Sequence, residues 1–490
     1  MNAQISRLAL IGLALIVALI LGTTYWQAWA SGGLADRQDN AIQRVAQFTI
    51  ERGKIYAGDG HTLLATNVRK RVDGRTLYFR RYPTGPLVPE IVGYSTQSRS
   101  QAGLERSYND YLTGSNSNLS TVLHTTIDRL KGVTVKGNNL YTTIHVPAQR
   151  LANRLLAGKC AAAVAIEPST GKVLVLASSP TYDPNLVERH FNRIARGGGP
   201  CRPNTPLFDR ATQGLYAPGS TFKVVTASAA LDTGRFTPDS TFFDPGYCIE
   251  YDKKVFNAGN PETGPESFGT VNLVTALQHS INAVFCKIGM ALGAKPIVDY
   301  MKRYGFYSVP PLETPLDERV PSGRYKGHRL DRKTSDADPG RLAFGQADLL
   351  VTPLQMAMVA AGIANHGVLM RPHVVQKILS PSGGVLLRRH PDKLARAVKP
   401  QTAAELTAMM EAVVTGGTGT AAQIPGIRVA GKTGTAETGV PGRYNAWFIS
   451  FAPADHPKVA VAVVVENGGF GGRSAAPIAK ALMQAILGRS

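Results

Sequence analysis

Lys432-Thr433-Gly434-Thr435 follows a short β-type run, Ile427–Gly431, and leads into one of the most apolar parts of the chain. Two other motifs stand upstream of it, Ser220-Thr221-Phe222-Lys223 and then Ser280-Ile281-Asn282. Each is weak alone, and the chain carries decoys. Ser169-Thr170-Gly171-Lys172 repeats the first pattern inside a hairpin turn, and Ser107-Tyr108-Asn109 repeats the second but precedes Ser220. The ordered trio is far more specific, because together it supplies the parts of a serine acyl-transfer site.

Ala217-Pro218-Gly219-Ser220 precedes a helix-like run, Thr221–Leu231, ended by Thr233-Gly234. Ser220 is therefore expected at a helix N-terminus, where backbone N–H groups without intrahelical partners favour developing negative charge. Lys223, three residues on, shares its helical face. A lysine whose pKa falls through burial or a neighbouring cation can take the serine proton and activate a poor nucleophile. Ser280 and Asn282 lie between the helix-like runs Leu273–His279 and Ala283–Leu292, in an expected interhelical loop. There a hydroxyl can bridge the lysine to an amine, and an amide can hold a substrate amide. Lys432 adds a cation that can depress the Lys223 pKa and attract a substrate carboxylate, while Thr433 and Thr435 offer hydroxyl donors. Gly434 leaves room for a substrate backbone along the strand. The N–H groups of Ser220 and Thr435 are expected to form an oxyanion hole.

At 490 residues the chain is long enough for two to four domains. Its 54 Lys and Arg against 34 Asp and Glu give +20, a balance that suits nucleic acid, anionic lipid or an acidic polymer. The N-terminus decides among them. No charge appears between Arg7 and Asp36, and Leu8–Gly22 is almost entirely Leu, Ile, Ala and Val. Continued to Trp26, the run has the length of a bilayer span, with Tyr25, Trp26 and Trp29 suited to the far interface. Ala28-Trp29-Ala30 mimics a signal-peptide cleavage site. The apolar run exceeds a usual signal core, so residues 1–30 read as a cytoplasmic tip and one retained transmembrane helix. On either reading the rest is exported, which excludes nucleic acid as a partner. Arg69, Lys70, Arg71, Arg75, Arg80 and Arg81 concentrate positive charge in the membrane-proximal region, as a solvated face or as a contact for lipid head groups or wall polymer. Cys160, Cys201, Cys248 and Cys286 lie in a disulfide-permissive compartment, with no spacing that suggests a metal and none that dictates a pairing. Cys286, in an apolar helical stretch, reads as a buried thiol.

Residues 31–150 alternate short β-type runs with loops such as Gly114-Ser115-Asn116-Ser117-Asn118 and form an expected pedestal. Strand Leu140–Val146, Pro147 and a helix through Leu156 mark the boundary to a catalytic unit at 151–490. Ala161–Ile166 and Lys172–Ser178 form a hairpin about Pro168-Ser169-Thr170-Gly171. Ile427–Thr435, Ala446–Ala452 and Val459–Glu466 are three more strand-like runs, and Ala475–Leu487 closes the chain as a helix with Ile478, Leu482 and Ile486 on one face. Helical segments such as Leu354–Ala364 and Ala403–Val414 lie between. The fold class is α/β (α+β), with one five-stranded antiparallel sheet flanked by helices. Thr415-Gly416-Gly417-Thr418-Gly419-Thr420 lacks the Gly-Lys-Ser/Thr of a phosphate loop and reads as a flexible loop. Glu466–Gly472 reads as a mobile connection.

The S-x-x-K, S-x-N, K-T-G set resembles that of penicillin-binding proteins and serine β-lactamases. Asn282 following Ile281 rather than Asp points to the penicillin-binding side. Arg52-Gly53-Lys54-Ile55, Leu63-Leu64-Ala65, Gly103-Leu104-Glu105 and Thr142-Thr143-Ile144 resemble pedestal motifs of class B penicillin-binding proteins, although His145 replaces the usual Asp. Ala165–Ser178, Gly345-Gln346, Trp447-Phe448 and Phe451-Ala452-Pro453 resemble landmarks of their transpeptidase domain, and the compact length resembles the actinobacterial PbpA-type subgroup. The resemblance implies a D,D-transpeptidase of the penicillin-binding transpeptidase fold. Ser220, Lys223 and Ser280 would be catalytic, and Asn282, Lys432, Thr433, Gly434 and Thr435 substrate-binding. It implies peptidoglycan stem peptides as substrates, β-lactams as acylating inhibitors and no cofactor or metal. It further implies residence on the outer face of the cell membrane beside a SEDS-type glycosyltransferase and divisome or elongasome proteins. Minor D,D-carboxypeptidase activity would accompany the chemistry. The competing readings are a β-lactam sensor or hydrolase using the same serine, and a non-catalytic scaffold.

Overall fold

A computed structural model describes residues 2–25, 48–97, 100–115, 136–260, 264–440 and 442–489. The principal helices are α1 (Asn2–Thr24), α2 (Val146–Leu156), α3 (Lys223–Asp232), α4 (Leu273–Gln278), α5 (Asn282–Leu292), α6 (Pro353–Ala364), α7 (Pro400–Gly416), α8 (Gly471–Ser474) and α9 (Ala476–Ile486). Two sheets use β1 (Ile55–Tyr56), β2 (Leu63–Val72), β3 (Arg75–Arg81), β4 (Asn139–Thr142), β5 (Ala161–Ile166) and β6 (Val173–Ser179). Later in the chain come β7 (Val375–Leu379), β8 (Val385–Arg388), β9 (Ala430–Glu437), β10 (Tyr444–Ala452) and β11 (Val459–Val465).

The five-stranded antiparallel sheet expected from the sequence forms in the order β9-β10-β11-β5-β6. Successive side chains point to opposite faces, and both faces are covered. Ala161, Ala163, Ala165, Val461 and Val463 share a core with Leu156 of α2 and Leu482 of α9. Ala162, Val164, Ala460, Ala462 and Val464 belong to the core on the other face, where α6 packs. This is why Val459–Val465 shows no polar alternation. Each fully buried Val or Leu side chain contributes about 1.5–3 kcal/mol. β9 begins at Ala430 rather than Ile427, because Ile427 N–H turns back to the Ile424 carbonyl at 3.0 Å. α2 starts where Pro147 fits a first turn and His145 Nδ1 accepts from Ala148 N–H at 3.3 Å, so the histidine acts as the helix cap.

The pedestal sheet has the order β8-β7-β4-β1-β2-β3, so two of its six strands come from the C-terminal half. β7 pairs antiparallel with β4, Ile378 opposite Leu140. Without β7, β4 would expose an unpaired edge. Beneath the sheet Glu105 is fully buried and takes Arg52 Nε at 2.7 Å and Arg80 Nε at 2.6 Å. Burial pushes its carboxyl up, but Arg80 and Arg52 outweigh that and hold it below the ordinary value. Arg80 therefore does not belong to the exposed basic cluster, since a buried carboxylate needs charged partners. Where residues 89–103 meet residues 182–213 and Glu318, a joint cavity of about 140 Å³ is lined by Glu90, Asp209 and Glu318 among others.

Helix α1 leaves Leu10, Leu13, Leu15, Leu19 and Leu21 largely exposed. Among the described residues no helix is long and apolar enough to cross a membrane. Trp26, Trp29, the Ala28-Trp29-Ala30 triplet and loop residues 116–118 lie outside the described residues. Cys160 bridges to Cys201 and Cys248 to Cys286. The reading of Cys286 as a free thiol is thus corrected: α5 carries it against the hairpin Tyr247–Phe256, which holds Cys248.

Candidate active site

Ser220 lies in a 3₁₀ turn, Gly219–Phe222, and Lys223 is the first residue of α3. The sequence reading placed Ser220 at the start of an α-helix. The tighter turn serves the pair better, because residues three apart nearly eclipse in 3₁₀ geometry. The turn is held by Thr221 Oγ1 donating to Pro218 O (2.8 Å), Gly219 N–H to Gly345 O (3.2 Å) and Trp447 Nε1 to Ala217 O (3.0 Å). α3 is buried along its whole length, with Thr226 Oγ1 donating to Ala343 O at 2.7 Å and Ser228 Oγ to Val224 O at 2.7 Å.

Ser280 joins α4 to α5 with φ +62°, a left-handed conformation unusual for a serine, and Asn282 opens α5. The turn aims both side chains at Lys223. Lys223 Nζ donates to Ser280 O (2.6 Å), Asn282 Oδ1 (2.8 Å) and Ser280 Oγ (3.3 Å). Lys432, on β9, donates to the same Ser280 Oγ at 2.8 Å and to Thr433 O at 3.0 Å. Five of the eight singled-out residues (Lys223, Ser280, Asn282, Lys432 and Thr433) thus form one hydrogen-bonded network. Ser220 is half-buried beside it and makes no hydrogen bond through its hydroxyl among the described residues.

Gly434 and Thr435 continue β9 past the serine turn. A Cβ on Gly434 would stand 2.8 Å from Pro218 O and 2.9 Å from Thr221 Cγ2. Its bareness therefore lets the strand press against the serine turn. Gly219, at φ +52°, meets Thr435 O in the same way, 2.9 Å from where its Cβ would lie.

Both lysines are fully buried. Burial drives Lys223 well below its ordinary pKa, and the charge of Lys432 drives it further. Burial alone brings Lys432 to about 7. Lys223 carries both causes, and both favour its neutral amine. Its nitrogen also stands 5.3 Å from the centre of the Phe285 ring.

Two residues of the site escaped the sequence reading. Thr418 Oγ1 lies 2.5 Å from Thr433 Oγ1, brought there by a loop whose Thr418 N–H bonds Gln278 O and Gly419 N–H bonds Val413 O. That loop, expected to be flexible, is tied down at these two adjacent residues. Glu466 receives Arg210 Nε and the Tyr216 hydroxyl, both at 2.8 Å, and so fixes the approach to the serine turn. A carboxylate directly after an all-apolar strand was the available signal. The connection after it, expected to be mobile, folds into α8, which packs so closely that a Cβ on Gly471 would lie 2.2 Å from Trp447 O. A separate cavity of about 850 Å³, lined by Glu411, Arg428 and Lys480 among others, contains none of the singled-out residues.

Such a serine, with two buried lysines meeting at a second seryl hydroxyl on the edge of an antiparallel sheet, defines an enzyme site for acyl transfer. Residues 161–484 match the penicillin binding protein transpeptidase domain, and residues 52–140 the penicillin binding protein A dimerisation domain. The chain belongs to the penicillin-binding protein transpeptidase family. It is 37% identical over 508 residues to the peptidoglycan D,D-transpeptidase PbpA of Mycolicibacterium smegmatis, covering 99% of both chains. The PbpA of Mycobacterium tuberculosis H37Rv is likewise 37% identical over 515 residues, with 99% of both covered. The crystal structure of PBPA from M. tuberculosis superposes with TM-score 0.79 at 33% identity, covering 90% of this chain and 100% of that one. Its penicillin G acyl-enzyme complex gives 0.75 at 35% identity, covering 89% and 100%.

Proposed function

We propose that the protein is a peptidoglycan D,D-transpeptidase working through a Ser220 acyl-enzyme. The observation that carries this reading is the Ser280 hydroxyl shared by Lys223 and Lys432 beside Ser220. Ser220 Oγ attacks the carbonyl of a donor stem's penultimate D-Ala, and neutral Lys223 takes its proton. The proton passes through Ser280 to the departing D-Ala nitrogen, leaving an ester on Ser220. An acceptor amine attacks that ester, gives up its proton by the reverse relay, and Ser220 leaves protonated. Lys432, Thr433 and Thr435 hold the donor carboxylate, Asn282 holds a stem amide, and Gly434 keeps β9 against the serine turn. N–H groups of Ser220 and Thr435 stabilise the oxyanion. β-Lactams acylate the same serine, and water in place of the amine gives minor D,D-carboxypeptidase activity.

The domain reading is an anchor at 1–30, a pedestal at 31–150 that borrows β7 and β8, and a transpeptidase unit at 151–490. Exposed leucines on α1 support a single-pass attachment with the catalytic unit on the outer face of the cell membrane. There a SEDS-type glycosyltransferase and divisome or elongasome proteins are the expected partners. N-terminal sequencing of the membrane fraction tests the anchor, because a start at Ser31 would mean cleavage. For the chemistry, the test is a donor peptide ending in D-Ala–D-Ala offered with a stem-peptide amine. Amide formation that competes with hydrolysis fits a transferase; fast β-lactam turnover without transfer would identify a hydrolase.

A further inference from the structure

We propose that the β2–β3 hairpin is a foot that rests on anionic lipid head groups. The proposal takes its geometry from the membrane attachment given above. The two strands pair from Thr66 opposite Arg81 to Val72 opposite Arg75. Asp73 and Gly74 close them with φ +46° and +76°, the left-handed pair a tight two-residue turn requires. Leu64 and Ala65 at the base are buried, whereas Arg69 to Val72 stand free of the sheet.

Charge and polarity are sorted on this arm. Arg69, Lys70, Arg71, Arg75 and Arg81 are exposed, and none is paired to an acid among the described residues. Asp73 is the hairpin's single carboxylate. Arg80, which faces inward, has Glu105 waiting for it at 2.6 Å. The fold thus neutralises the cation it buries and gives the others no acid among the described residues, Lys70 Nζ standing 5.5 Å from the centre of the Phe79 ring. Alternation along the strands puts Val68, Lys70 and Val72 on one face with Phe79, Leu77 and Arg75 opposite them. That face is a narrow apolar strip interleaved with cations, and Val72 at its tip is 42% exposed. Basic side chains reaching past a shallow apolar strip suit the boundary between head groups and acyl chains.

Position points the same way. β3 is the outer edge of the pedestal sheet, and the opposite edge, β8, comes from the catalytic half. Tyr78 N–H donates to Phe48 O at 2.7 Å, and the Phe48 and Phe79 rings lie 5.6 Å apart. Phe48, where the described residues resume after α1, thus lies against this hairpin. A basic residue near an anionic leaflet strengthens partition roughly fivefold, and the effect fades within a Debye length of about 8 Å at physiological salt. Several such residues would hold the arm down and orient the pedestal, which α1 alone does not.

The test uses the full chain with Thr76→Cys as a fluorescent label site; the four native cysteines are bridged and silent to the reagent. The labelled protein is reconstituted into vesicles of phosphatidylglycerol and phosphatidylcholine, or of phosphatidylcholine alone, each carrying a head-group quencher. We expect strong quenching only on the anionic vesicles, and severalfold weaker quenching in 0.5 M salt, where screening shortens to roughly 4 Å. Arg69→Gln, Lys70→Gln, Arg71→Gln and Arg75→Gln combined should abolish the quenching while leaving penicillin labelling intact. Protein that floats with anionic vesicles but shows no quenching overturns the foot alone. Protein that floats with neither vesicle overturns the attachment and the foot together. Protection of the probe by poly(glycerol phosphate) but not by anionic lipid would transfer the surface to wall polymer and refute the lipid contact.

Discussion

Replacing Lys432 by Gln removes one of two buried lysines while keeping a donor for Ser280 Oγ. Lys223 and Lys432 reach that oxygen from 3.3 and 2.8 Å, which keeps their nitrogens within about 6 Å of each other. At an effective dielectric of about 20, two unit charges at that separation repel by about 3 kcal/mol. Lys432 holds its charge up to about pH 7, so its field acts on Lys223 throughout the acid range. Without it, Lys223 keeps its desolvation but binds its proton more tightly. The acid limb of the acylation rate should move to higher pH, as measured by stopped-flow with penicillin between pH 5 and 9. The plateau should fall as well, because a substrate carboxylate loses its cation. Only the limb position reports on Lys223. A limb unmoved in Lys432→Gln would refute electrostatic tuning of the base, whatever happened to the plateau.

Gly434→Ala should drive β9 away from the serine turn, because the new methyl meets Pro218 O at 2.8 Å. Overpacking of this kind costs about 1–3 kcal/mol; an unchanged melting temperature together with wild-type acylation would contradict the close packing described. The joint cavity predicts a pH-dependent stability. Burial, reinforced by Asp209, raises Glu90 to about 8, while burial raises Glu318 to about 7 and Asp209 to about 6. Raised carboxyl values favour the folded state at low pH, and that stabilisation is lost as pH climbs from about 4.5 through 8. Glu90 keeps an edge in solvent, so Glu90→Gln should recover about 1–2 kcal/mol at pH 8 rather than the about 5 a full shift implies. Chemical denaturation at pH 5 and 8 checks this: an equal pH slope in wild type and variant would contradict it.

What could be read from the sequence was local or strongly patterned. The β5–β6 hairpin showed through its apolar strands and Pro-Ser-Thr-Gly turn, and β10 and β11 through continuous apolar runs. The site residues were legible because each motif sits at an element boundary with its own composition. What escaped depended on distant partners. β7 and β8 carry no mark that assigns them to a sheet 230 residues upstream. Arg80 resembles its basic neighbours until Glu105 comes beneath it. Cys286 looks like any small apolar helix residue until the hairpin folds over α5. Thr418 lies in a glycine-rich loop whose order is imposed by Gln278 and Val413, invisible in its own composition. The left-handed Ser280, which aims two side chains at one lysine, is likewise a product of packing between α4 and α5.

The most direct measurement is mass spectrometry of the intact chain after exposure to penicillin, followed by peptide mapping and a chase without drug. The account predicts one penicilloyl group, on Ser220, that persists for many minutes and is absent from Ser220→Ala. An adduct on another residue, undiminished modification of Ser220→Ala, or release within seconds would contradict it.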